Sequence, residues 1–523
     1  MPAAVSSNGG TRQLGGRGPI VAVVGVFVIS RIAAAAAGLR YDDGLLHNAF
    51  QLLDVRLLRG DPFESIFYLH SQPPLFNAFT ALVLQLPSSL VNTTLMLLWH
   101  AAGLATALLL YATMVRLGVR PWLGAAFVCV FVVMPETLLV ESWFFYTELE
   151  ILLLAILLWG LARFASTLRT ADGLLFTGSL AALVLLRSSF HPLVFVVLVV
   201  VVWWQLHFDA RRLAAIAAVP LALVAAWSVK NVLVFDSWSN SSWTGMNLSY
   251  VAHAGVTQRR CRTLVAEHSV SPIACVTAFS PPSAFIARFP HPQHYGVAAT
   301  DALYKSTGQP NFNASLYLDV ARQYQRDAVD LLRDGGLGAV ARAEAAAYTV
   351  WAEPADDSLQ LRHVRAPIAG YADWFDRLVL LRPTATGWNN PARFAADAGS
   401  FPVGEALGSI SYTLLALFAL AVYGGVAGVR RGRRGDRAVL CVCTVGLLLV
   451  VYSTLVGNAL DYRENNRFRF ETAPVVLVLG ALGAEFVWQR VHARRHAPGD
   501  DEARAETEVS AGASVGRHAA GEG

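Results

Sequence analysis

Residues 41–54 read YDDGLLHNAFQLLD and set Asp42, Asp43 and Asp54 beside His47 and Gln51. A carboxylate within about 2.6–3.2 Å of a hydroxyl can take its proton, which is general-base chemistry. A second charged stretch, ALDYRENNRFRFETAPVV at 459–476, holds Asp461, Arg463, Glu464, Arg467 and Arg469. Arginine grips phosphate through a bidentate fork and stabilises charge growing on a phosphate leaving group. Four shorter stretches add polar groups. SIFYLHSQPPLFN (65–77) carries His70 and Gln72 ahead of Pro73 and Pro74; ESWFFYTELE (141–150) carries Glu148; LLRSSFHP (185–192) carries Arg187 and His191; KNVLVFDSW (230–238) carries Lys230 and Asn231. Each has a plainer explanation as well. Prolines start a helix at its first turn. Glu148 at the head of an apolar helix gains up to about 1 kcal/mol from the helix dipole. Lys230 and Arg187 can snorkel, and the 461–469 turn can pair its own charges.

These residues must be positioned by a membrane protein. The chain has 523 residues, 55% hydrophobic and 15% charged, against roughly 25% charged in an average soluble domain. Mean hydropathy is +0.46. Apolar runs near 19–39, 90–117, 121–140, 147–166, 172–189, 192–208, 213–234, 405–428, 437–456 and 471–490 approach the roughly 20 residues a spanning helix needs. The expected fold is an all-α polytopic membrane protein of about ten transmembrane helices. The arginines of the N-terminus, of the loops near 116–120, 163–169, 211–212 and 430–437, and of 490–495 all fall on one face, which the positive-inside rule makes cytoplasmic. Loop 40–73, the segment 236–404 and the turn near 457–470 then lie on the outer face of the cell membrane. There the spacing predicts an amphipathic interfacial helix over 43–58, with residues 43, 47, 51 and 54 on one polar stripe. The short apolar run 74–87 reads as a second interfacial or re-entrant helix.

The expected organisation is a disordered cytoplasmic N-terminus (1–18), a transmembrane core (19–235) holding the loop 40–73, a small mixed extracytoplasmic domain (236–404), C-terminal transmembrane helices (405–495) and a disordered cytoplasmic tail (496–523). Within 236–404, the stretch 315–336 predicts an amphipathic helix with a glycine stop. Cys261 and Cys275 lie in this segment, where an oxidising compartment makes a disulfide plausible; Cys129, Cys441 and Cys443 lie in apolar runs. No Cys/His spacing suggests structural zinc. The net charge of +4 is small for the length and points to no nucleic-acid partner. The first eighteen residues do not form a cleavable signal pattern.

The motifs in order resemble the GT-C class of polytopic glycosyltransferases, with the protein O-mannosyltransferases and lipid A aminoarabinose transferases as the most similar groups. The parts are Tyr41-Asp42-Asp43 after span one, Gly60-Asp61-Pro62 continuing to Gln72-Pro73-Pro74-Leu75, Thr147-Glu148 where the family more often has Asp, Lys230-Asn231 with Gly245 where Arg-Asn is usual, and Glu464, Arg467 and Phe468 before the last span. The resemblance covers most of the spanning region. It implies inverting transfer of a sugar from a polyprenyl-phosphate carrier to a glycan, lipid or protein acceptor outside the membrane, with an aspartate of the first outer loop as base. The family pair is often Asp-Glu; here it is Asp-Asp. The polar stripe favours Asp43 as base, leaves Asp42 as a solvated neighbour and makes Asp54 a rival. His47, Gln51, His70, Gln72, Glu148, Arg187, Lys230, Asn231, Glu464, Arg467 and Arg469 are the expected substrate-binding residues. Some relatives use a divalent metal, and Asp43, Asp54 and Glu148 could serve one, but no ligand spacing demands it. The rival readings are a lipid or glycan transporter or flippase, which needs ionisable groups near the bilayer midplane, and a scaffold without activity.

Overall fold

The computed structural model describes residues 17–358, 360–384 and 407–495. The expected disordered ends, apart from Arg17 and Gly18, lie outside the described residues, as does 385–406. The protein is an all-α polytopic membrane protein. Seven helices are long and apolar enough to cross a bilayer: Arg17–Ala36, Ser88–Arg116, Thr147–Thr167, Ala210–Phe235, Tyr412–Gly432, Arg437–Leu460 and Ala473–Ala493. A further candidate is the pair Pro121–Val133 and Pro135–Glu141, bent by 62°. Two shorter apolar helices, Thr170–Leu186 and Pro192–Leu206, pack among them.

Local chemistry sets many of these boundaries. Pro121, Pro135 and Pro192 open helices in the first turn, where a missing N–H costs nothing. Asp209, Ser411 and Asp436 cap helices by accepting the N–H groups of Arg212, Leu414 and Val439. Ser411 also donates its backbone N–H to Ala352 O at 2.9 Å, so the span expected from 405 starts at Tyr412. The apolar run 121–140 bends because Pro135 cannot continue the helix. The carbonyls freed there are satisfied in place: Thr137 Oγ1 donates to Phe131 O at 2.7 Å and Arg31 Nη1 to Val132 O at 2.6 Å. Helices Tyr412–Gly432 and Ala473–Arg495 touch backbone to backbone. A Cβ at Gly424 would stand 2.0 Å from Leu479 O, so only glycine fits.

Residues 236–384 form a cap over one end of the bundle. Its frame is helix Thr244–Gly255 packed along Leu316–Ala352. The expected helix over 315–336 runs from Leu316 and breaks at Gly336, where φ is 59° and ψ −163°; a second helical stretch continues to Ala352. Trp243, Met246, Phe285, Phe312, Tyr317 and Tyr324 form a core of the cap's own. Cys261 and Cys275 are joined in a disulfide, their Cα atoms 5.9 Å apart. The expected mixed composition is not found: among the described residues there is no strand, only isolated bridges pairing Asp42 with Trp143 and Tyr304 with Pro310. Pro272, Pro281, Pro282, Pro290, Pro292 and Pro310 punctuate the stretch that alternates polar and apolar residues, and proline cannot donate to a ladder.

The helix expected over 43–58 is also not found. It is replaced by Leu45–Asn48 and Val55–Gly60 with a turn between. Distant groups take the backbone bonds that a continuous helix would make. Asn77 Oδ1 accepts the Leu53 N–H at 2.8 Å and its Nδ2 donates to Gln51 O at 3.0 Å. Lys305 Nζ donates to Ala49 O at 2.7 Å. Asp54 starts the second helix by accepting the Arg56 N–H at 2.9 Å. The stripe 43, 47, 51, 54 therefore does not form, and with it goes the reason for preferring Asp43 to Asp42.

Candidate functional site

A cavity of about 340 Å³ lies where the cap meets the ends of helices Thr170–Leu186 and Arg437–Leu460. It gathers Gln51, Gln72, Arg187, Glu464 and Arg467 from the expected residues. Aromatic faces line it too, among them Phe50, Tyr146, Trp243, Tyr250 and Phe468. Gln360 of the cap completes one wall, with its Nε2 donating to Glu464 Oε1 at 2.5 Å.

Five charges at this cavity form a matched chain. Arg187, just past the end of its helix, pairs with Glu150 at 2.8 Å and with Glu471. Arg467 pairs with Glu471 at 2.7 Å and with Glu464, and donates to Thr147 Oγ1 at 3.2 Å. The chain Glu150–Arg187–Glu471–Arg467–Glu464 thus alternates in sign. Burial demands this, because an unpaired ion inside a protein costs several kcal/mol. Glu150 and Glu471 were missed by the sequence reading, although each is a carboxylate within an apolar stretch and so carried a signal. Burial pushes the Glu464 carboxyl up, but Arg467 outweighs it and holds the group below the usual carboxylate range. Asp461, also in the lining, is pushed up to about 7 by burial, with Glu464 adding to the shift. One donor in the network is unmet: Arg467 Nε is buried with no hydrogen-bond partner among the described residues.

A second group surrounds Tyr41. Burial raises its hydroxyl, and the nearby charges of Asp43, Asp42 and Glu148 raise it further. Asp42 is fixed by its backbone: its N–H donates to Ser142 O and its O accepts from the Phe144 N–H, both at 2.9 Å. Its Oδ1 accepts the Gly44 N–H at 3.0 Å, and its Oδ2 lies 2.6 Å from His363 Nε2. The Asp43 carboxylate is half-buried, and no hydrogen-bond partner for it occurs among the described residues. Glu148 is buried in the first turn of its helix, within electrostatic reach of Glu141, which pairs with Arg31. The turn 142–148 joins the two groups, since Asp42 pairs with its start and Tyr146 lines the cavity.

The remaining expected residues go elsewhere. Asp54 accepts from Ser306 N–H at 2.5 Å and Ser306 Oγ at 2.7 Å; partial burial raises its carboxyl, and these bonds outweigh it and lower it. His47 is exposed, and its carbonyl accepts from Thr307 Oγ1 at 3.3 Å. His70 is buried, its backbone N–H donating to Asn313 Oδ1 at 2.9 Å and its Nδ1 bonded to Ser242 Oγ at 2.9 Å. Burial, reinforced by Lys230, pushes its imidazole down to about 3. Lys230 Nζ donates to Leu69 O at 2.7 Å and sits 3.6 Å from the Trp227 ring centre. Asn231 donates to Ser239 O at 3.0 Å. Arg469 is spent on Trp351 O at 2.9 Å and on Glu353 O and Glu136 at 3.1 Å. Among the described residues no group of three or more His, Cys, Asp or Glu is arranged to hold a metal ion. No protein-family model matches the chain, and no curated protein matches it.

Proposed function

We propose that the protein is a membrane glycosyltransferase that moves a sugar from a polyprenyl-phosphate carrier to an acceptor on the extracytoplasmic face of the cell membrane, with inversion at the anomeric carbon. In this reading the bent pair and the two shorter apolar helices complete ten spans, and the cap lies outside. The observation that carries the proposal is Arg467: a fully buried arginine in the wall of a cavity at the bundle's end, with one guanidinium N–H unmet. A buried donor left unpaired costs about 1–3 kcal/mol, and a phosphate oxygen of the carrier would satisfy it. The aromatic faces and the amides of Gln51, Gln72 and Gln360 suit a sugar ring. The base is drawn from Asp42 and Asp43, since Asp54 is committed to Ser306.

The test is release of polyprenyl phosphate by purified protein in nanodiscs supplied with a panel of polyprenyl-phosphate sugars. Wild type should turn over with at least one carrier, and Asp42→Asn or Asp43→Asn should lose about 10²–10⁴ of the rate. Silence with every carrier would overturn the reading and favour a transporter or a scaffold.

A further inference from the structure

One stretch of the cap reaches both halves of the candidate site. Gln360 bonds Glu464 in the cavity wall, and three residues on, His363 Nε2 meets Asp42 Oδ2 at 2.6 Å. Gln360 stands just before the short helix Arg362–Arg365, and His363 lies within it. The stretch is held firmly from behind. Leu361 and Val364 are buried in the main core, and Arg365 is tied to Asp356 and Asp373 at 2.8 Å each.

Asp42 is held as firmly from its own side. Ser142 and Phe144 fix its backbone, and Gly44 N–H fixes Oδ1. The local turn therefore orients one oxygen only. The other is oriented by His363, 321 positions away in the chain. Asp43 has no such support among the described residues, and the bonds of Asp54 lead to Ser306 on another part of the cap. Side-chain exposure of 31% at Asp42 leaves room for an acceptor hydroxyl to approach.

We propose that His363 is a positioning residue for Asp42, and that Asp42 is the base of the transfer. This rests on the glycosyl-transfer reading above. As the acceptor oxygen bonds to the anomeric carbon, its proton passes to the Asp42 carboxylate. The bond from that carbon to the carrier phosphate oxygen breaks, and its electron pair leaves with polyprenyl phosphate. The proton then passes from Asp42 to water. His363 takes no part in bond making: its Nε2–H donates to Oδ2 and keeps the carboxylate aimed. The cap is then a component of the reaction centre.

The experiment compares wild type, Asp42→Asn, Asp43→Asn, His363→Ala and His363→Gln in the polyprenyl phosphate release assay, with thermal unfolding midpoints measured alongside. The bond from His363 to the Asp42 carboxylate is charge-assisted, and losing one such bond typically costs about 10–100-fold in rate, so His363→Ala should lower kcat by about that factor with the donor KM unchanged. The Gln amide carries a donor near the Nε2 position, so His363→Gln should recover to within a few-fold of wild type. Asp42→Asn should lose more than Asp43→Asn. Wild-type kcat in His363→Ala, or no recovery in His363→Gln at an unchanged unfolding midpoint, would overturn the assignment while leaving the transfer reading intact. So would full turnover in Asp42→Asn. Wild-type silence with every carrier would instead overturn the transfer reading, and the role of His363 with it.

Discussion

Arg467 and Glu471 each leave 1% of the side chain exposed, whereas Asp42 leaves 31% and His363 54%. The cavity wall and the first loop therefore treat charge in opposite ways. In the wall, Arg467 pairs with Glu464 and Glu471 on its own turns, Arg187 ties Glu471 to Glu150 on distant helices, and the pairing is inseparable from the packing. At the first loop, the carboxylates are held by a few hydrogen bonds and remain open on one side. Altering the paired ions of the wall should damage fold and activity together, while altering Asp42 or Asp43 in the loop should damage activity with little loss of stability.

The largest effect should come from Arg467→Ala. It strips Glu464 of its cation and leaves Glu471 to share Arg187 with Glu150, and removing one partner of a buried pair costs about 3–5 kcal/mol. A large fall in unfolding midpoint in detergent, with loss of turnover, is expected; Glu471→Gln added to it should recover part of the stability. A midpoint unchanged in Arg467→Ala would break the comparison at its stronger end. Next is Asp42→Asn, with turnover falling about 10²–10⁴-fold and stability changing by no more than about 1 kcal/mol. A fall in stability as large as that of Arg467→Ala would place Asp42 with the wall.

Asp461 sharpens the comparison through pH. Its carboxyl is pushed up from 3.8 to about 7, so the folded state binds more protons than the unfolded state between those values. Stability attributable to this group therefore falls as pH rises from about 4 to about 7, and is flat above. Asp461→Asn should raise the unfolding midpoint at pH 8 and flatten the profile across that window; an unchanged slope would sink the assignment. The smallest effect should be that of Asp54→Ala. It removes a helix cap worth about 1 kcal/mol and the bonds to Ser306, with turnover within a few-fold of wild type. Loss of turnover without loss of stability would return Asp54 to the candidates for base.

The sequence by itself determined the membrane class and most helices, because runs of apolar residues and Pro, Asp and Ser caps act within one or two turns. It also marked Glu464 and Arg467, since ions beside apolar runs are conspicuous, and paired Cys261 with Cys275. It failed wherever a bond spans a long separation. The single helix over 43–58 was overruled by Asn77 and Lys305, whose side chains take its backbone groups. The apolar run 121–140 gave no sign that its carbonyl at the bend would be met by Arg31 of another helix. Glu150 and Glu471 became visible as site residues only once Arg187 stood between them, and nothing near His363 in the chain announces Asp42. Tertiary structure decided these points because a buried polar group must find a partner, and local sequence does not say which distant segment will supply it.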